Sequence, residues 1–317
     1  MLLKHGHPSA ELVRKHLETL TALPSTQSKA TKLQSLLPQT TPDDRDEMLV
    51  QEVSSATQTP AEDFSIASLN LLLSAKADVN ALKGRALCLA VAASNGDIVA
   101  ALLERKLDAE TIQLAFPHAI HNRHDRDRFS FIRQLIKAGA SKMEATRALA
   151  YCVDTYTEDL GLLTLLVENG DTSDGIALVK AVRKGSRRVV GILLEKGTSP
   201  QEVLDKAFRE CIEVKDREVR LDIANLLLAK DVGPAAISTA LLAAVNDVDF
   251  ELGKVLIEAG GNLEECDSQG IVRACRSGSL EMLSLLLTGI PELKMELLQE
   301  AFQAATDVGD LKARTII

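Results

Sequence analysis

The stretch Gly84–Lys106, GRALCLAVAASNGDIVAALLERK, decides the fold. Leu87, Ala90 and Val91 fall at i, i+3 and i+4, which is one stripe of a helix; Ile98, Val99, Leu102 and Leu103 make a second stripe. Asn95-Gly96-Asp97 lies between them and predicts a tight hinge. Helices this short do not persist alone in water. Each shows one apolar face, so each must be covered by neighbours.

The same unit recurs along the chain. Its first helix carries [Leu/Ile]-x-x-Ala-[apolar] as Leu87/Ala90/Val91, Ile112/Ala115/Phe116, Leu178/Ala181/Val182, Leu204/Ala207/Phe208, Leu241/Ala244/Val245, Ile271/Ala274/Cys275 and Leu298/Ala301/Phe302, with a weaker Ala150/Tyr151. The spacing averages about 30 residues, inside the range of stacked repeats. The second helix ends in a Leu-rich run, as in IRQLIKAGA (132–140), LLTLLVENG (162–170), VGILLEKG (190–197) and GKVLIEAGG (253–261). Gly139, Gly170, Gly197 and Gly260 sit where a left-handed C-cap is expected. Ser141, Thr172/Ser173, Ser199-Pro200 and Gly233-Pro234 are start signals for the helix that follows.

ADVNALKGRALCLAVAASNGDIVAALL (77–103) and GGNLEECDSQGIVRACRSGSLEMLSLLL (260–287) carry a pattern that resembles the ankyrin repeat. No unit has the Thr-Pro-Leu-His signature, and loops such as LVENGDTSDGIAL leave no room for a β-turn finger. The resemblance implies an all-α helical-hairpin solenoid, ankyrin-like, of roughly nine to ten repeats, with a plain α-solenoid of another family as the structural alternative. Ala-rich first helices are expected to line a concave side and Leu-rich second helices the outer layer. Residues 77–317 form the regular array. Residues 1–76 read as divergent helical repeats continuous with it: Met1–Gly6 as the tail of a second helix, Pro8–Leu20 with Lys29–Leu37, and Pro42–Val53 with Ala61–Ser74. TALPSTQS (21–28) and SSATQTP (54–60) read as loops. Val308-Gly309-Asp310-Leu311 matches the Asn95 hinge, so both ends are expected to cut through a repeat of a longer array.

Composition narrows the function. The net charge is −9, which disfavours general binding to nucleic acid or anionic membrane. No apolar run is long enough to cross a bilayer, and the N-terminus lacks the apolar core of a signal peptide. Aromatic residues make up only 3%, and small Ala faces suit closely stacked helices. The cysteines, Cys88, Cys152, Cys211, Cys266 and Cys275, show no CxxC spacing, so they read as buried reduced thiols of an intracellular protein, cytoplasmic or else nuclear.

Because the apolar residues are committed to stacking, the hinge tips and the inner face remain for binding. Long charged hinges read at HNRHDRDRF (121–129), VDTYTEDL (153–160) and EVKDREVR (213–220), and RKGSRR (183–188) is a compact cation cluster. The candidate partner contacts are Arg123, His124, Arg126, Arg128, Tyr156, Arg183, Lys184, Arg187, Arg188 and Arg217. Each is also what a solvated turn would carry. His118-x-x-His121-x-x-His124 places two imidazoles on one helix face, but no carboxylate or thiol has ligand spacing, and Pro117 is expected to disturb that helix. No nucleophile elbow, P-loop or zinc-protease motif occurs, and Asp43/Asp44 and Glu264/Glu265 lie in predicted loops. No cofactor or metal is expected. The reading is a non-catalytic scaffold, monomeric as a fragment, that binds another protein or peptide. The alternatives are a regulatory or sensing arm of a larger NTPase-type receptor, and a peptide- or phosphate-binding module centred on Arg183–Arg188.

Overall fold

A computed structural model describes residues 10–21, 23, 27–58, 65–262, 269–289, 295–309 and 311–317. Among them there is no strand, and the chain is an all-α helical repeat solenoid. Among the described residues twenty α-helices follow one another as α1 Ala10–Thr21, α2 Gln27–Leu36, α3 Pro42–Gln58, α4 Ala67–Ser74, α5 Ala81–Ala92, α6 Gly96–Leu103, α7 Ala109–Ile120, α8 Asp125–Lys137, α9 Lys142–Thr155 and α10 Leu160–Asn169. They continue as α11 Ile176–Arg183, α12 Arg187–Lys196, α13 Gln201–Ile212, α14 Arg217–Leu228, α15 Pro234–Asn246, α16 Phe250–Glu258, α17 Gln269–Ser277, α18 Leu280–Gly289, α19 Met295–Val308 and α20 Leu311–Ile316. Two compact units divide the chain within α9, Met1–Ala148 and Leu149–Ile317.

The packing in each unit follows one rule. Odd-numbered helices stack on odd ones, as α11 on α13 on α15, even-numbered on even ones, as α12 on α14 on α16, and an odd helix packs on the even one after it, as α13 on α14. The signature residues make these layers. Leu87, Ala90, Val91, Ala181, Val182, Ala207, Phe208 and Leu241 are all buried. Two registers differ from the sequence reading. In α9 the buried set is Leu149, Cys152 and Val153, with Cys in place of Ala, while Tyr151 is exposed. In α19 Ala301 and Ala305 are buried, whereas Phe302 is 48% exposed.

The hinge owes its shape to the signature alanine. The carbonyls of Ala90, Ala181 and Ala244 accept from the amides of Asn95, Ser186 and Asp249 (3.1, 3.0 and 2.9 Å), which closes the end of the first helix. The residue before each of those amides is left-handed: Ser94 (φ 57°), Gly185 (φ 67°) and Val248 (φ 52°). The left-handed residue of the first of these hinges is thus Ser94, and Gly96 of the expected Asn95-Gly96-Asp97 hinge already belongs to α6. Asn95 and Asp249 then cap the second helix by accepting from Ile98 and Leu252 amides (3.2 and 3.4 Å).

Several expectations change. Gly139 and Gly260 are left-handed, but Gly170 and Gly197 are extended caps (φ −99° and −88°). Gly197 is required by crowding instead, since an added Cβ would lie 2.5 Å from the Leu193 carbonyl oxygen. α3 runs through Ser54–Gln58, part of a predicted loop, because Ser55 and Thr57 turn their hydroxyls onto the carbonyls of Gln51 and Ser54 and Ala56 is buried. Asp43 and Asp44 lie in the first turn of that helix, where Thr41 and Asp44 exchange capping bonds. α7 continues through Pro117, whose ring faces solvent. The expected helix at Met1–Gly6 and the residues Glu264, Glu265 and Cys266 lie outside the described residues.

Candidate functional site

The predicted long hinges are only four residues: His121–His124, Tyr156–Asp159 and Glu213–Asp216. The flanking helices absorb the rest. α7 and α13 run five residues past Ala115 and Ala207, against two past the equivalent alanines of α5 and α11, and α8 and α14 start at Asp125 and Arg217.

Arg128 must be corrected from rim contact to core residue. It is 2% exposed, donates to the Asn122 carbonyl at 3.0 Å and pairs with Asp125. Arg220 does the same one turn into α14: it donates to the carbonyls of Val214 (3.2 Å) and Ile212 (3.3 Å). Both residues fill a four-residue hinge from beneath. The third such hinge, Tyr156–Asp159, has Leu163 at the equivalent place.

The remaining candidates fall into two groups. Arg123, His124 and Arg126 are exposed around the α7–α8 hinge of the first unit, with His124 as the N-cap position of α8. His118 and His121 are also exposed, and among the described residues no group of three metal-ligating side chains converges. In the second unit the cations mostly bridge neighbouring repeats. Arg183 forks onto Glu210 with bonds of 2.7 and 2.5 Å, which holds the Glu210 carboxyl below its usual range. Arg187 pairs with Asp222 at 2.6 Å. Lys184 donates to the Asp154 carbonyl and lies 3.7 Å from its carboxylate, which also holds Lys180. Arg217 donates to the Asp247 carbonyl at 3.1 Å. Half-exposed pairs of this kind are screened by water and contribute little to stability.

A cleft of about 570 Å³ opens between the α9–α10 and α11–α12 hinges. Thr157 and Glu158 form one wall, and Lys184, Gly185, Ser186, Arg187, Arg188 and Val189 form the other. Arg188 is exposed and, among the described residues, makes no ion pair. Ser186 occupies the N-cap position of α12, yet its hydroxyl caps nothing. Amides in a helix's first turn have no intrahelical acceptor, and those of Arg188 and Val189 take none from outside the helix either. Beside the cleft Tyr151 and Tyr156 pack edge to face, ring centroids 6.0 Å apart. They are the two tyrosines of the chain. The sequence thus flagged Tyr156, Lys184, Arg187 and Arg188, which the fold brings to one edge, and passed over Tyr151, Thr157, Glu158 and Ser186. The usable signal was Tyr151-x-x-x-x-Tyr156, which spans the end of a helix.

The arrangement offers cations, hydroxyls and free amides to an anion in an open cleft. It has no buried carboxylate pair or nucleophile with an adjacent base among its lining residues.

No protein-family model matches the chain. An alignment 141 positions long, covering 42% of the chain, is 30% identical to part of "Ankyrin repeat and KH domain-containing protein mask-1" of Caenorhabditis elegans. The chain spans about 5% of the length of that curated relative. No helix among the described residues is long and apolar enough to cross a membrane.

Proposed function

We propose that the chain is a run of ankyrin-like repeats acting as a non-catalytic, intracellular protein-interaction module, monomeric by itself, with residues 1–76 as its divergent and 77–317 as its regular part. It engages a protein or peptide through the first-helix face and the hinge edge. One observation carries this reading. The exposed large apolar side chains concentrate on first helices: Leu82, Leu114, Met143, Tyr151, Ile176, Met295 and Phe302. Among the described residues of second helices only Leu226 and Phe250 are comparably exposed. Apolar side chains left outside a close-packed stack mark a surface that another chain can cover. The partial likeness to an ankyrin-repeat protein points the same way.

The test is affinity capture with the tagged chain, repeated with Met143→Glu and Ile176→Glu. Both residues are half exposed, so the fold tolerates the change. Partners captured by the wild type and lost with these variants support the module. Capture unchanged by both variants, or none at all, contradicts it.

A further inference from the structure

We propose that the cleft between the α9–α10 and α11–α12 hinges binds a phosphorylated serine or threonine in an extended segment of the partner protein. This inference rests on the interaction-module reading and names the chemistry of one contact.

The cleft's volume, about 570 Å³, is several times that of a phosphate group, so it accommodates a stretch of peptide around the anion. Its α12 wall presents donors without acceptors: the Arg188 guanidinium, the Ser186 hydroxyl and the amides of Arg188 and Val189. These donors belong to the N-cap and first turn of α12, at the positive end of its dipole. The charge balance selects the ligand. Arg187 and Lys184 already hold the carboxylates of Asp222 and Asp154. A ligand carboxylate brings only one charge and two acceptor oxygens to Arg188 and the free amides. A phosphate, carrying nearly two charges and three acceptor oxygens, gains from Arg188 and the free amides without displacing either acid. Glu158 makes the opposite wall acidic, so the phosphate must face α12. The Tyr151–Tyr156 pair beside the cleft offers an apolar surface for an adjacent residue of the segment.

The test is fluorescence anisotropy on the full chain with fluorescein-labelled peptide libraries that fix phosphoserine, glutamate or serine at the centre. The phosphoserine library should bind about tenfold or more tightly than the glutamate one. Arg188→Glu should abolish that preference, Glu158→Gln should strengthen binding, and Lys230→Glu, an exposed residue just past the far end of α14, should leave it unchanged. Arg188 is exposed, so circular dichroism of Arg188→Glu should match the wild type. Equal binding of glutamate and phosphoserine libraries, no binding of either, or binding indifferent to Arg188→Glu overturns the proposal. Failure of this contact alone is distinguishable from failure of the module: partners would still be captured, and still be lost with Met143→Glu, while the phosphoserine library stays unbound.

Discussion

Arg220 crosses one repeat to pair with Asp249, the residue that caps α16 in the next repeat, and both side chains are buried. The same guanidinium holds the Val214 carbonyl of its own hinge. One side chain therefore fixes a four-residue hinge and ties it to its neighbour.

Arg220→Met should be strongly destabilising, because it leaves the Asp249 carboxylate buried without a counter-charge. A loss of about 3–5 kcal/mol is expected, read as a lowered urea midpoint. Arg220→Met combined with Asp249→Asn should recover much of it. A single variant with an unchanged midpoint would mean the pair is solvated.

Gly84 and Gly175 stand at the same place in their repeats and meet the same obstacle. An added Cβ would lie 2.4 Å from Thr111 Cγ2 or Val203 Cγ1 of the next first helix, and both backbones are left-handed (φ 64° and 69°). Gly175→Ala should cost about 2–4 kcal/mol, combining overpacking with backbone strain. Adding Val203→Ala should relieve the clash but not the strain. Gly96→Ala, with nothing within 4 Å of its Cβ and ordinary helical φ, should be neutral or slightly stabilising.

The chain should lose stability in acid. Asp44 and Asp108 are held below the usual carboxylate range by hydrogen bonds from Thr41 and Thr111, and Glu210 by the bonds from Arg183. Their folded pKa values lie below the unfolded ones. Their contribution is therefore present above the unfolded carboxylate range and lost as pH falls through the lowered values. Asp46, raised by burial, works in the opposite sense. Thermal melts from neutral pH down to about pH 3 should show a falling midpoint, shallower in Asp108→Asn. A midpoint that rises on acidification contradicts the assignment.

Cys211 should resist alkylation in the native protein. It is buried, it donates to the Arg220 carbonyl at 3.3 Å, and burial pushes its thiol up to about 12. Cys88, half-buried, should label before the other described cysteines, which are buried. Peptide mapping after iodoacetamide treatment at pH ~8 checks the order. Cys211 labelling as fast as Cys88 would show that α13 and α14 do not close over it.

The helix pairs and their stacking were readable because the [Leu/Ile]-x-x-Ala-[apolar] stripe states both period and buried face. The register failed where another residue takes the alanine's place, as Cys152 does in α9. The hinge lengths failed for a different reason. Charge in 121–129 and 213–220 reads as loop, yet Arg128 and Arg220 are helix residues whose charge is met by backbone carbonyls underneath. Of the site, the cations were legible from RKGSRR. Which of them are tied to acids two helices away was not, since Asp222 lies 35 residues from Arg187.

Hydrogen–deuterium exchange of the full chain, alone and with a captured partner, tests the interaction surface most directly. The account predicts new protection on first helices, over Leu114, Met143 and Ile176, and at the Tyr156–Arg188 hinge edge. Protection confined to second helices, with those segments exchanging as in the free chain, would contradict it.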